Sequence, residues 1–155
     1  MLTAAHKRLI EDHRLGFVAT VDETGSPNLS PKGTFLVHDD ETVLFGEIRS
    51  PATRANLETN AKVEINFVDV IGRKGVRLKG VARFIERESE EFEKLYPPFL
   101  AEWGRDLCDR FNGIVWVTVH TAKPLTTPAY DIGATEAELR AQWFGRYSEL
   151  QERET

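Results

Sequence analysis

The residues whose types and spacing could do chemistry lie in positions 28–57, NLSPKGTFLVHDDETVLFGEIRSPATRANL. Lys32, Arg49 and Arg54 bring three cations to this one stretch. Between the two arginines, Ser50-Pro51 has the form of a helix start. Ser is a favoured N-cap, and Pro is favoured at the first helical position, where its missing N–H would be unpaired anyway. The first-turn N–H groups of Ala52 and Thr53 would then point out of the helix end, where an anion is welcome. Cations gathered at a helix N-terminus make a seat for a phosphate. Whether they gather depends on the elements that carry them.

Residues 28–38 and TVLFGEI (42–48) read as strands joined by the Asp39-Asp40-Glu41 turn. A short helix follows from Pro51 to about Thr59, with Asn60 as its stop. Period two along the first strand puts Leu29, Phe35 and Val37 on one face and Asn28, Ser30, Lys32 and Thr34 on the other, the pocket-lining face. Upstream, Thr3 to about Arg14 reads as a short helix, and LGFVATV as a strand ending in the hairpin turn Glu23-Thr24-Gly25-Ser26. Downstream, KVEINFVDV and GVRLKGVARFIE are further strands, and Gly80 marks a bulge or a close backbone approach.

Residues 89–111 break the β pattern. Ser89 caps a helix carrying Phe92, Leu95 and Tyr96, which Pro97-Pro98 is expected to end. A second helix would present Trp103, Leu107 and Phe111 as a buried stripe. IVWVTVHTA is the last strand. Thr135-Glu136-Ala137-Glu138 then fits a capping box that opens a closing helix at about 135–150, with Leu139, Trp143, Tyr147 and Leu150 on one face. That stripe is expected to pack on the barrel or on a second subunit. Strands with short connections around small helices predict a mainly β protein, an antiparallel barrel rather than βαβ units, in one domain over 1–155.

Hydrophobic residues make up 41% and charged residues 29% of the chain, which fits a globular protein. A net charge of −5 argues against a broad nucleic-acid or anionic-membrane surface but allows a local basic pocket. The lone Cys108 cannot form an internal disulfide and suits a reducing cytoplasm; its spacing makes it a packing residue. No apolar run suits a signal peptide or a membrane span. His6, His13, His38 and His120 are scattered without metal-ligand spacing. No GxSxG, Walker A or GxGxxG run occurs. Any redox or transfer chemistry must then come with a bound anionic cofactor that brings its own reactivity.

Ser30-Pro31-Lys32-Gly33, Leu44-Phe45-Gly46-Glu47, Arg49-Ser50 and Arg54-Ala55-Asn56-Leu57-Glu58-Thr59-Asn60 follow one another in an informative order. Phe67-Val68-Asp69-Val70, Gly75 and Arg77-Leu78-Lys79-Gly80 extend the series. Over about residues 10–125 this resembles the pyridoxamine 5′-phosphate oxidase-like flavoproteins. The resemblance implies a six-stranded antiparallel split β-barrel of Greek-key type that binds FMN, and a homodimer with flavin sites at the subunit interface.

Carried over by position, Ser30, Pro31, Lys32 and Gly33 would lie along the flavin and ribityl chain. Glu47, Ile48, Arg49 and Ser50 would follow on the next strand and loop, Thr53 would lie at the helix start and Arg54 would pair with the phosphate. Lys79 would approach from the partner subunit. The Arg-x-His and terminal Arg-Leu-x-Pro motifs of the vitamin B6 oxidase are missing, and Gly75 replaces its flavin-side glutamine, so pyridoxamine phosphate is not the expected substrate. The expectation is an FMN-dependent oxidoreductase acting on a small molecule or taking electrons from a nicotinamide donor. Three alternatives stay open: a flavin-binding sensor without turnover, a barrel using the deazaflavin F420 or haem (with His120 as the group to watch), and a barrel with no ligand at all.

Overall fold

The computed structural model describes residues 1–153. Helix α1 (Ala4–His13) opens with a capping box in which Thr3 Oγ1 accepts the His6 N–H and His6 Nδ1 accepts the Thr3 N–H. Strands β1 (Gly16–Val21), β2 (Pro27–Lys32), β3 (Phe35–Val37) and β4 (Thr42–Glu47) follow. Then come α2 (Pro51–Thr59), β5 (Lys62–Asp69) and β6 (Lys74–Glu86). Helices α3 (Glu90–Trp103) and α4 (Arg105–Cys108), strand β7 (Gly113–Thr126) and helix α5 (Glu136–Arg153) complete the described chain.

All neighbouring strands are antiparallel, in the order β2-β1-β5-β6-β7-β4-β3. The two edges of this sheet, β2 and β3, are consecutive in sequence, separated only by Gly33 and Thr34. Two residues cannot span a flat seven-stranded sheet, so the sheet must curl until its edges meet. They meet without pairing. The result is a barrel split along one seam.

The inside of the curl is apolar: Val18, Phe35, Phe45, Ile65, Phe67, Val76, Leu78, Val115 and Val117 form one buried cluster, closed at one end by Leu2 and Ile10 beside α1. Phe35 sits at its centre, with ring centroids 5.1 Å from Phe45 and 4.6 Å from Phe67. Alternate residues of β4 and β7 (Leu44, Ile114) face a second cluster with Phe92, Phe99, Cys108 and Phe111 from the β6–β7 helical insertion. Covered on both faces, β4 is buried at every position. Cys108 is a buried packing residue whose thiol burial pushes up.

The expected bulge is present. The β6–β7 register shifts between Lys79 and Gly80, leaving His120 as the extra, exposed residue of β7. A Cβ on Gly80 would lie 1.9 Å from the Thr118 carbonyl oxygen. The Thr135/Glu138 capping box also forms, with hydrogen bonds in both directions.

Four expectations need correction. The run 28–38 is two strands, because the chain turns at Gly33-Thr34 to pass from one sheet edge to the other; the count is seven rather than six. That turn also resets the alternation: Leu29 is 65% exposed and does not share a face with buried Phe35. Pro97-Pro98 lies inside α3 instead of ending it. The carbonyls robbed of their i+4 donors belong to exposed Glu93 and Lys94, where water can replace them, while Phe92 and Phe99 anchor both halves in the core. The stripe Trp103, Leu107 and Phe111 is not one helix, since the chain breaks at Gly104 (φ 73°), but all three still pack on the second cluster.

Helix α5 touches its own chain chiefly at its start. Leu139 is its buried residue, Arg140 pairs with Asp69 at 2.6 Å, Lys74 with Glu136 at 2.8 Å, and Arg73 lies 4.1 Å over the Trp143 ring. Tyr147 and Leu150 remain exposed. No described helix is long and apolar enough to cross a membrane.

Candidate functional site

A cleft of about 520 Å³ opens at the seam of the barrel. Ser30, Pro31, Lys32, Gly33 and Thr34 form one wall; Gly46, Ile48, Arg49 and Ser50 form the next; Leu107 and Arg110 come from the helical insertion. The walls are braced by shared hydrogen bonds. Thr34 Oγ1 accepts the Gly46 N–H and donates to the Gly46 carbonyl, both at 3.1 Å, which ties the β2–β3 link to the end of β4. Gly46 must be glycine here, because a Cβ would fall 2.1 Å from the Phe111 ring.

The buried carboxylate of Glu47 braces the cleft from behind. Its Oε1 accepts from the Ser50 N–H (2.5 Å) and Oγ (2.8 Å), and its Oε2 from Asn112 Nδ2 (3.0 Å). Burial alone would raise its pKa, but the Asn112 and Ser50 hydrogen bonds and the Lys32 charge together hold it below the usual carboxylate value. Asn112 also donates from Nδ2 to the Ile48 carbonyl at 2.9 Å, so the insertion is fastened to the β4–α2 corner. Ser50 does stand at the N-cap of α2, yet it makes no side-chain cap bond; its hydroxyl is turned to Glu47 instead.

Lys32 is 9% exposed and donates to Ser30 Oγ. Burial pushes its pKa down, partly offset by the charge of Glu47. Arg49 and Arg110 have no carboxylate within 4.0 Å among the described residues; Arg110 uses its Nε on the Asp106 carbonyl at 3.2 Å. The lining itself holds no Asp or Glu. Arg49 and Arg110 are exposed at the mouth of the cleft, which therefore presents positive charge to an incoming anion.

Of the residues singled out in the sequence, Ser30, Pro31, Lys32, Gly33, Ile48, Arg49 and Ser50 meet in this cleft. Glu47 stands behind it as a brace. Thr53 is fully buried and accepts from Asn28 Nδ2 at 3.3 Å, so its side chain is structural. Arg54 does not line the cleft: its guanidinium lies 4.3 Å over Phe84 and pairs with Glu86 at 2.8 Å. Lys79 pairs with Glu64 at 3.1 Å on the outer sheet face, away from this subunit's cleft. Thr34, read in the sequence as part of the pocket-lining face, lines the cleft as well; Gly46, Leu107 and Arg110 are the lining residues that sequence reasoning missed. No local signal marks Arg110, whose approach depends on how a helical insertion folds back.

A larger hollow of about 610 Å³ lies among α1, the β5–β6 turn and α5, and contains His6, His13, Asp69, Lys74 and Arg140. Its strongest charges already satisfy one another. Asp69 accepts from the Ile71 and Gly72 N–H groups and from Arg140, and Lys74 is held by Glu136. The seam cleft is smaller, but neither Arg49 nor Arg110 in it is paired with a carboxylate among the described residues.

The family model for pyridoxamine 5′-phosphate oxidase matches residues 2–132. The chain belongs to the pyridoxamine 5′-phosphate oxidase family. Among solved structures of similar fold, HupZ from Group A Streptococcus is 31% identical, with a TM-score of 0.70 over 82% of this chain and 96% of that one. An FMN-binding protein from Syntrophomonas wolfei is 17% identical, with a TM-score of 0.64 over 79% of this chain and 84% of its own. HutZ, the haem storage protein from Vibrio cholerae, is 21% identical, with a TM-score of 0.63 over 81% and 95% of the two chains. At those lower identities the last two show the fold alone. No curated protein matches the chain significantly. The pyridoxamine 5′-phosphate oxidase fold thus carries both an FMN-binding protein and a haem storage protein.

The residues of this family member fit FMN. Its seam cleft offers cations for a phosphate, hydroxyls at Ser30 and Ser50, and a wall of short side chains (Gly33, Thr34, Gly46) against which a flat ring can lie.

Proposed function

We propose that the seam cleft holds FMN and that the protein is an FMN-dependent oxidoreductase acting on a small molecule, in a cytoplasmic setting that its free thiol suits. The observation that carries this reading is the carboxylate-free cleft in which Lys32 and Arg49 meet, in a chain of net charge −5. When bound, the flavin supplies the hydride-accepting chemistry, which is why the cleft needs no catalytic acid or base of its own. Arg49 can offer a phosphate its two-pronged fork. Lys32, held against Ser30, places positive charge in the recess, where it favours the reduced, anionic form of a flavin ring.

A homodimer completes the proposal. On the outer face of β1 and β2, Phe17 pairs across the strands with Pro31, and Ala19 with Leu29. Phe17 is 38% and Leu29 65% exposed, with Leu15 nearby at 46%, so an apolar strip runs up to the rim of the cleft at Pro31. A second copy seated there would cover the strip and narrow the cleft. A flavin binder without turnover is the second reading, favoured by a lining whose titratable groups are all cations. Haem has less support, since His120 does not line the cleft.

The test is the visible spectrum of the purified protein, then titration of the apoprotein with FMN, F420 and haem. Arg49→Gln removes a charge-assisted contact of about 1.5–3 kcal/mol, so FMN affinity should fall roughly ten- to hundredfold. Arg54→Gln should leave it within about twofold, since that guanidinium is engaged with Glu86. Loss in the Arg54 variant but not in the Arg49 variant would refute the phosphate assignment. Reduction by NADH or NADPH separates the oxidoreductase from the passive binder. A Soret band and no flavin would overturn both.

A further inference from the structure

We infer that Arg110 selects a second ligand for the cleft, a small organic acid whose carboxylate pairs with the guanidinium while its apolar body lies on Leu107; the inference rests on the flavin reading above. The first ground is charge. The lining holds Lys32, Arg49 and Arg110 and no carboxylate. Arg110 is exposed at the mouth of the cleft and has no carboxylate within 4.0 Å among the described residues, so its charge is open to an incoming anion.

The second ground is position. Lys32 and Arg49 rise from the barrel wall, at the end of β2 and just after β4, whereas Arg110 and Leu107 come from the helical insertion between β6 and β7. The cations therefore occupy two different walls. A single phosphate seat would not require that separation; two anionic groups would.

The third ground is that Arg110 is held ready. Cys108 and Phe111 on either side of it are buried in the second apolar cluster. Asn112, two residues on, is bonded to the Glu47 carboxylate and the Ile48 carbonyl. Asp109, the acid next to Arg110 in sequence, is occupied by the Tyr96 hydroxyl at 2.9 Å. The backbone of Arg110 is thus fixed at both sides. With Nε on the Asp106 carbonyl, the two terminal nitrogens of its fork are left for a ligand. A planar fork beside an apolar side chain matches a carboxylate on an apolar body.

The experiment is calorimetric titration of the FMN-loaded protein and of the apoprotein with benzoate and with its neutral analogue benzamide. Benzoate should bind the loaded protein at least tenfold more tightly than benzamide. Arg110→Gln should abolish that preference while changing FMN affinity less than twofold, and Arg110→Lys, which keeps the charge, should restore part of it. Equal binding of the two probes, or no binding of benzoate, overturns the inference. So does an Arg110→Gln variant that loses FMN as Arg49→Gln does, because Arg110 would then belong to the phosphate seat. A protein that takes no flavin but binds benzoate through Arg110 would sink the flavin reading and leave the role of Arg110 standing.

Discussion

Glu47→Gln is the sharpest test of how the cleft is held. The substitution keeps the shape of the side chain and exchanges one oxygen for an NH2 group. If the remaining oxygen keeps the Ser50 N–H and hydroxyl, the new amide nitrogen faces Asn112 Nδ2, donor against donor. Turning the Asn112 amide does not help, because Nδ2 also serves the Ile48 carbonyl and an oxygen would be set against it. One contact is lost outright, and two fall from charge-assisted to neutral strength, about 1 kcal/mol each. The sum is about 3 kcal/mol. With a urea slope of about 2 kcal/mol/M, the unfolding midpoint should drop by ~1–2 M at pH 7, followed by tryptophan fluorescence.

The same variant carries a pH signature. Glu47 has a folded pKa below its ordinary 4.5, so its contribution is present above that pH and lost as pH falls through the folded value. The gap between wild type and variant should therefore be wide at pH 7 and close as pH falls below 4.5. Equal midpoints at pH 7, or a gap that stays the same down to pH 3, would refute the account of Glu47 as the ionised brace of the cleft.

Gly46→Ala would set a Cβ 2.1 Å from a Phe111 ring that is itself packed edge-on against Phe99, so it should destabilise the protein by about 1–3 kcal/mol in the same urea assay; wild-type stability would show that the insertion can shift freely. Asp69→Asn removes the charge that meets Arg140, with the β5–β6 turn still able to bond the remaining oxygen. Burial would raise the Asp69 carboxyl, yet the Gly72 N–H, Arg140 and His13 hold it below its usual value, so this anchor too is present near neutrality and fails only in acid. Amides of α5 in the variant should exchange faster at pH 7 while the barrel strands keep their protection; unchanged α5 amides would mean that Leu139 alone holds the helix.

What could be read in the sequence was local. The start of α2 at Ser50-Pro51, the Thr135 capping box and the Gly80 bulge each depend on residues within a turn or a strand of one another, and all three are there. The family motifs also placed most of the cleft, because β2, the β2–β3 link and the β4–α2 corner are near neighbours along the chain. Arg54 shows where that reasoning stops. Its helical position suited a phosphate, but Glu86, 32 residues away, and the ring of Phe84 engage it. Arg110 failed in the opposite direction, silent in sequence and brought to the cleft by the packing of Cys108 and Phe111. The strand break at Gly33 was hidden because the residues flanking it continue an alternating pattern; only the closure of the sheet shows that the chain must turn there.

The pairing of β4 with β7 has a kinetic consequence. Thr42 meets Thr118 and Glu47 meets Gly113, partners that are more than 60 positions apart, whereas β1–β2, β3–β4 and β5–β6 are hairpins of short reach. The hairpins can form early and separately, but the barrel closes only when β7 slots between β6 and β4 and ends the search over a long loop. Until then the Glu47 corner has no Asn112 and the cleft has no third wall. Competence to bind should therefore appear last in refolding, in step with β4–β7 zipping rather than with the growth of strand signal.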